Sequence, residues 1–552
     1  MPLDDSRVDR RDLLKYAGAA SAAVLAGCTG DGGDGGDGAA LDGGDGGDGG
    51  DGGDGGDGGD GSTTTNTDDQ QQSDANVGVT MGQMDSGLDP QDHAETNTDI
   101  IVSQAYEGLM GREPDGTIIA ALATEWERVE PGVARFTLRD GVTFHNGDEL
   151  TAEDVRFSIR RIVFDDVGIA SAQKNDLGAV DTVEAGDGEV TVNFEGLNPI
   201  VFQLFATNGQ VMQQSWVEEN DRDFINRNMN GTGPFQLDSY DAGNEVVVER
   251  YDDYWGGPAE VESVTLNASK ESSTRVNRLL AEESDIVTNV PPQEVSRVEE
   301  ADVASVNAVP STRVIFLQMR YDVEPFTSQE FRQAMNYAVD NAGIVESVLN
   351  SFGTVSGQPT LEQFTGHNPD VEPYPHDPER AEQLVEQSGF AGAEIELQTP
   401  IGRYLKDVEI AQAAASQIDS LSNVSCELNQ REFSALVQDL TTGKIEDKPP
   451  FNLLGWGNGE FDAAQTIIPL LASDGALTIL ENDEVDRTIQ EAQNESDPQA
   501  REETLQELNA FLHDLSPWVF MHQQFSVYGV SDDIEWEPRS DELIDPYRAM
   551  PQ

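Results

Sequence analysis

Six histidines and two cysteines are the side chains of this 552-residue chain best suited to acid–base, thiolate or soft-metal chemistry. They are spread out. His93, His145, His367, His376, His513 and His522 form no His-Glu-x-x-His pair, the cysteines form no Cys-x-x-Cys, and no Ser-His-Asp pattern is recognisable. His145, between Phe144 and Asn146-Gly147, follows a strand-like run and opens a tight turn. That setting suits a hydrogen-bonded scaffold residue better than a metal ligand or general base. Gly231-Thr232-Gly233 before Pro234 is a glycine-rich turn, but it lacks the lysine and the helix start that a phosphate cradle needs. Cys426 lies in the strand-like Val424-Ser425-Cys426-Glu427-Leu428 and reads as a small buried hydrophobe. An enzyme is therefore disfavoured. A secreted hydrolase would need a nucleophile and a base converging in one pocket.

Elements able to position a site begin at about residue 76. The stretch from 76 to 552 exceeds one ordinary core, so two or three lobes are expected. Arg135-Phe136-Thr137-Leu138-Arg139 alternates with the period of a strand and turns at Asp140-Gly141. Thr151-Ala152-Glu153-Asp154 reads as a capped helix start, with Val155, Ile159 and Ile162 as the buried stripe. Glu245 to Arg250 predicts another strand. Helical faces recur at 331–349, 378–389, 407–421 and 498–515, several bounded by Gly or Pro.

Several segments together carry a resemblance. They are Ala121-Leu122-Ala123-Thr124-Glu125-Trp126, Phe136 to Gly147, and Leu150 to Ile159. Gly231-Thr232-Gly233-Pro234-Phe235 follows, with Tyr254-Trp255 about twenty residues on. Arg332-Gln333-Ala334 with Tyr337-Ala338-Val339-Asp340, then Pro378-Glu379-Arg380-Ala381, Gly402-Arg403-Tyr404 and Gly455-Trp456 complete the series. In this order they resemble the solute-binding proteins of dipeptide, oligopeptide and nickel ABC importers, over essentially everything after residue 76. The resemblance implies an α/β fold of the type II periplasmic-binding-protein kind: two lobes joined by hinge crossovers, plus an extra inserted domain. The first lobe is placed at 76–112, 234–317 and 520–552, the extra domain at 113–233, and the second lobe at 318–519.

The same resemblance implies capture of a peptide-like solute between the lobes and delivery to a membrane permease and its ATPases, with no cofactor and with a monomer as the working unit. The loop Gly455 to Asp462 is similar to the family segment in which an acidic side chain pairs with the amino group of a bound peptide. Here the acid is ambiguous between Glu460 and Asp462, and Asn458 stands where a carboxylate is expected. Trp456 is expected to cover apolar groups or stack on a cation. Arg403, beside Tyr404, has a fork suited to a ligand carboxylate. Uptake of nickel or a metal chelate on the same fold is the nearest alternative. His93 and His367 would then matter, although both are expected at the surface. A structural adhesin is a more distant one.

Before the folded body comes an address. Arg10-Arg11 with Asp12-Leu13-Leu14-Lys15 resembles a twin-arginine export signal, and Tyr16 to Ala26 supplies an apolar stretch too short to span a bilayer. Leu25-Ala26-Gly27-Cys28 resembles a lipobox, so residues 1–27 are read as a signal and Cys28 as the lipidated residue. Residues 28–75, dominated by Asp-Gly-Gly repeats, cannot build a core and are read as a disordered tether to the outer face of the membrane. A flexible coil of about 47 residues averages roughly 35 to 40 Å end to end, and its charge would lengthen it. With Cys28 lipidated, Cys426 has no partner for an intramolecular disulfide.

Composition bounds the surroundings. Lys and Arg total 32 against 104 Asp and Glu, and 32 − 104 gives the net charge of −72. Phosphate backbones would repel such a polyanion, so nucleic acid is excluded as a partner. Six residues are lysine (15, 174, 270, 406, 444 and 448), consistent with a surface of short carboxylates. Self-repulsion on this scale opposes a compact state unless salt screens it, and at molar salt the Debye length falls to about 3 Å. The chain reads as adapted to high salt. Dilution into low-salt buffer is expected to unfold it, as followed by circular dichroism; a full melting temperature in dilute buffer would refute the reading.

Overall fold

Two long strands, Ala304–Met319 and Trp518–Ser531, run antiparallel and are shared by both halves of one large sheet. They belong to a computed structural model that describes residues 75–552 apart from 94, 95, 170, 172, 178, 442 and 443. Arg10, Arg11, Cys28 and the tether read between 28 and 75 lie outside the described residues, except that residue 75 itself is described.

Near one end of the pair, Ile286–Val287 binds Gly529 and Val530, and the sheet continues through Asn76–Met81, Ser263–Ala268, Glu245–Arg250 and Phe235–Asp241. At the other end, Phe451–Gly457 lies along Arg313 to Met319, followed by Ala393–Pro400 and its parallel neighbour Val424–Arg431. Gly353–Val355 adds to Trp518–Ser531, making eleven strands among the described residues.

Cores lie on both faces of the shared strands, which explains their apolar runs. Ile315, Leu317, Met319, Val519 and Met521 enter a core with Phe331, Leu384 and Ile410 from the helices Gln329–Ala338, Pro378–Ser388 and Asp407–Asp419. Val314, Phe316, Trp518 and Phe520 enter another with Ile467, Ile489 and Leu508 from the helices Ala464–Leu471, Asp483–Asn494 and Pro498–Leu515. There the rings of Phe316 and Trp518 stack at 3.7 Å. A separate core fills the half built on Asn76–Met81, with Val77, Val79, Val264, Leu266 and Tyr528. A four-stranded antiparallel sheet, Ala123–Glu130, Val133–Leu138, Glu189–Phe194 and Val180–Ala185, has its own core. The helix Ala152–Val163 packs on it, held at its start by a capping box between Thr151 and Asp154.

Between Pro310 and Val314 the pairing of the long strands shifts register. Proline has no N–H for the ladder, so a break there costs little. The chain uses the gap: Thr312 N–H donates to the carbonyl of Ser540 at 2.9 Å, and Gln523 Nε2 donates to the carbonyl of Ser311 at 2.7 Å.

The helical face expected over 331–349 is two helices, Gln329–Ala338 and Asn341–Ser347. Val339 is extended, and Asp340 restarts the helix by accepting the N–H of Gly343 at 2.9 Å, so the cap wins over continued periodicity. His93 is not at the surface. It is 7% exposed and its Nε2 lies 3.7 Å from Asp99, while His367 is half-buried with Nδ1 3.0 Å from the carbonyl of Thr360. Cys426 is buried and unpaired, and burial pushes its thiol up to about 12, leaving it unreactive near neutrality.

Two sequence motifs meet at Glu107. Its carboxylate accepts from Thr232 Oγ1 at 2.8 Å, Trp255 Nε1 at 2.9 Å and Tyr254 Oη at 2.9 Å. Burial pushes Glu107 up to about 7 against the pull of these donors and the Arg139 charge. A raised carboxyl keeps its proton in the folded state after the unfolded chain has lost it, so this contribution is fullest below about pH 4.5 and fades as pH rises through about 7. The stability difference between wild type and Glu107→Gln is therefore expected to shrink from pH 4.5 to pH 7.5 in chemical denaturation. A constant difference would refute the assignment.

Candidate functional site

Asp407, first residue of the helix Asp407–Asp419, organises the loop before it. Its carboxylate accepts the N–H groups of Gly402 at 3.1 Å, Arg403 at 2.7 Å, Tyr404 at 3.1 Å and Val408 at 2.8 Å. Gly402 and Lys406 take left-handed backbone angles, φ +69° and +60°, that let the loop fold back on this one acceptor. Tyr404 is thereby driven inward and donates its hydroxyl to the carbonyl of Gly455 at 3.1 Å. The fit needs glycine, because a Cβ at 455 would stand 2.7 Å from the Tyr404 ring.

Arg403 stays exposed on this base. Its guanidinium lies 5.6 Å from the Tyr404 ring centre and 5.0 Å from that of Phe433. Among the described residues, no carboxylate forms an ion pair with Arg403. Desolvation by the protein packed around its guanidinium, and then the neighbouring Arg313 charge, hold it below the usual guanidinium range even though part of the side chain reaches solvent, against an opposing pull from Tyr404 and Glu542. Arg313 projects from the shared strand over Gly457, where a Cβ would meet Nη2 at 3.0 Å, and lies 6.0 Å from the Tyr404 ring. Its fork closes on Glu542, Nε to Oε1 at 3.2 Å and Nη2 to Oε2 at 2.8 Å. Burial alone would push Glu542 up, but the Arg313 charge and hydrogen bonds hold it below its usual range.

The strip continues beyond Glu542. Arg539 forks onto Asp541 at 2.9 and 2.5 Å and donates to the carbonyl of Arg112 at 2.8 Å. Arg112 donates to Thr207 Oγ1 at 2.8 Å and to the carbonyl of Gln203 at 3.0 Å. Burial lowers its pKa, and the charges of Glu460 and Asp541 pull it back. Phe461, with φ +56°, reaches the same place: its ring lies 5.3 Å from the Arg112 guanidinium and against Gly116.

The residues singled out in the sequence thus fall into separate settings. Arg403 and Tyr404 share one face of Phe451–Gly457 with Arg313. Trp456 lies on the opposite face, half-buried against the core of Leu454 and Ile467, and donates Nε1 to the carbonyl of Gln465 at 2.9 Å. Asn458 is buried and donates to the carbonyl of Asp462 at 2.8 Å and to Thr466 Oγ1 at 2.9 Å. Asp462, 1% exposed, is gripped by Arg501 through two bonds of 2.7 and 2.8 Å and accepts the N–H of Ala464 at 3.0 Å. Glu460 is 9% exposed and faces the Arg112 charge.

Arg313, Glu542 and Arg112 were not among the sequence candidates. Arg313 had a signal, since it is the one charged residue in the apolar run from Val309 to Met319. Glu542 had none within Asp541-Glu542-Leu543-Ile544-Asp545. His145 is scaffold: Nδ1 accepts the N–H of Gly231 at 3.3 Å, Nε2 lies 3.1 Å from the carbonyl of Gly233, and burial pulls the ring down to about 4.

Among the described residues, no three His, Cys, Asp or Glu stand together as a metal site, and no helix is long and apolar enough to cross a membrane. What the arrangement offers is recognition by charge and hydrogen bonding at a junction of two halves.

Known proteins share this arrangement of elements. The heme-binding protein A of Haemophilus influenzae is 23% identical over 452 residues, 75% of this chain and 81% of its own length. The glutathione-binding protein GsiB of Salmonella typhimurium is 22% identical over 456 residues, 80% of this chain and 88% of its own. The structure of the periplasmic binding protein DppA from Helicobacter pylori in complex with the peptide STSA superposes with a TM-score of 0.75 at 20% identity, over 86% of this chain and 98% of that one. The sequence model of the bacterial extracellular solute-binding proteins, family 5 Middle, matches residues 117–477. The chain belongs to the bacterial extracellular solute-binding proteins of family 5, with their type II periplasmic-binding-protein fold.

Proposed function

We propose that this protein is the capture component of an ABC importer, taking a peptide-like solute between two lobes and presenting it to a membrane permease and its ATPases. The observation that carries the reading is the Arg403–Tyr404 shelf, set beside the junction where both long strands change neighbours. The first lobe comprises about 76–112, 234–317 and 520–552, the extra domain 113–233, and the second lobe 318–519. The hinge sits a few residues inside these limits, at Ser311-Thr312 and Gln524, because there the two long strands are not paired with each other and Thr312 and Gln524 bond instead to Ser540 and Leu405.

Capture needs no covalent chemistry. A solute that contacts both lobes binds the closed form better than the open one, so its binding energy shifts the population toward closure. The monomer suffices for this. Arg10-Arg11 directs export and Cys28 carries a lipid, so the tether holds the receptor at the outer face of the cell membrane within reach of its permease.

Mass spectrometry of protein purified in molar salt is expected to reveal a co-bound peptide-like solute, and a thermal-shift screen of peptides is expected to raise its melting temperature. A protein that carries and binds none would overturn the reading. Trp456→Phe preserves most of the packing but removes the Gln465 bond. Because Trp456 lies on the face of Phe451–Gly457 away from Arg403, the substitution is expected to lower the melting temperature while leaving affinity for the solute unchanged; a several-fold loss of affinity would put that face in the site. Cys28→Ser is expected to release a binding-competent protein into the medium; retention on the cell would refute the anchor.

A further inference from the structure

Four Asn-x-Ser/Thr triplets without a central proline occur in the chain, beginning at Asn230, Asn267, Asn423 and Asn494. In a protein that works outside the cell membrane this triplet is the acceptor of an N-linked sugar. The fold treats the four differently. Asn230 is 3% exposed, its Nδ2 donates to Gln213 Oε1 at 2.8 Å, and the hydroxyl of Thr232 is spent on Glu107. Asn267 is 7% exposed, and its Oδ1 accepts from Thr80 at 2.9 Å and Arg278 at 2.8 Å. Asn423 is half-buried, with Nδ2 donating to the carbonyl of Glu382 at 3.0 Å, and the next residue, Val424, already enters the sheet.

Asn494 has a different setting. It is the last residue of the helix Asp483–Asn494, and both it and Ser496 are exposed. The helix buries Val485, Ile489 and Ala492, and the position two beyond Ala492 faces away from that stripe. Glu495 is extended, with φ −87° and ψ +126°, and Pro498 starts the next helix, so the triplet spans a helix end and the turn that follows. Its bonds are local: Asn494 Nδ2 to the carbonyl of Gln490 at 2.8 Å, and the N–H of Asp497 to Glu495 Oε1 at 2.8 Å. An exposed hydrogen bond exchanges with water at little net cost, so this amide can be drawn off the helix without disturbing the core.

Export of an already folded chain, the reading given to Arg10-Arg11, presents a sugar-transferring enzyme with a native surface. Accessibility then selects among the triplets. We propose that Asn494 carries an N-linked glycan, and that the other three triplets stay unmodified because the fold occupies them. The donor is a sugar activated on a lipid phosphate. Asn494 Nδ2 bonds to the anomeric carbon, the bond from that carbon to the phosphate oxygen breaks, its electron pair leaves with the phosphate, and the amide proton passes to a base of the transferring enzyme. The glycan adds bulk and hydroxyls without charge to a surface on which 104 acids outnumber 32 basic residues. The inference goes beyond solute capture and rests on the export reading alone.

Peptide mapping by mass spectrometry, on full-length protein taken from the membranes of the cells that naturally make it, is expected to find the peptide containing Asn494 heavier by one or more sugar residues. Peptides with Asn230, Asn267 and Asn423 are expected at the masses of their sequences. Ser496→Ala is expected to abolish the added mass although Asn494 is still present, and Ser496→Thr to keep it, both at an unchanged melting temperature in molar salt because Ser496 is exposed. An unmodified Asn494, or sugar that survives Ser496→Ala, would overturn the inference. Sugar on Asn230 or Asn267 would overturn it as well, since it would have to be attached before folding. Solute capture is untouched by any of these results, and the thermal-shift screen reads it separately.

Discussion

The Arg313–Glu542 ion pair is the contact on which the arrangement of this molecule turns. It lies where Ala304–Met319 leaves one set of neighbours and takes another, and it ties that strand to the carboxyl-terminal segment. Both partners are largely buried, at 11% and 16% side-chain exposure, so neither can lose the other without leaving a charge in a poorly solvated place. Around it the proline-induced gap in the ladder frees backbone groups that Ser540 and Gln523 satisfy. A junction that is hydrogen-bonded and yet outside the regular ladder can bend without breaking sheet structure on either side.

Arginine has a second use throughout the fold. Arg332 donates to the carbonyls of Leu515 and Phe326 at 2.9 and 2.8 Å, and Arg275 to those of Thr288 and Ser269 at 2.8 and 2.7 Å. These guanidiniums cap chain ends and turns with several donors at once. They do so without a carboxylate, which suits molar salt, where exposed ion pairs are weakened but short buried hydrogen bonds are little affected. Exposed pairs such as Arg487 with Glu484 and Glu491 contribute far less to holding this protein together.

What the sequence made legible follows from the range of each interaction. The capping box at Thr151, the proline start and glycine stop around 378–389, and the strand at Glu245–Arg250 are local, and each appears where its residues predict. The ordered motifs made the family and its fold readable as well. Pairing across long separations was not readable: Arg313 and Glu542 are 229 residues apart, Asp462 and Arg501 are 39 apart, and with 104 acids to choose from no arginine announces its partner. The same blindness made His93 look like a surface residue, since its burial comes from the fold around Asp99 and not from its neighbours in sequence. Trp456 and Arg403 could be listed together only because the alternation of Phe451–Gly457, which sends Trp456 to the face away from Arg403, depends on a register set by Ala304–Met319.

Selectivity in such a molecule has to come from contacts shorter than the screening length. At molar salt a net charge of −72 exerts little pull or push beyond about 3 Å, so a charged solute approaches without the attraction or repulsion it would meet in dilute buffer. Groups able to act at that range are held rigidly in this fold, as Arg403 is by the Tyr404 and Phe433 rings and Arg313 by Glu542. In such salt an acidic exterior is compatible with a solute of either charge, because screening hides the surface and leaves short, desolvated contacts to discriminate.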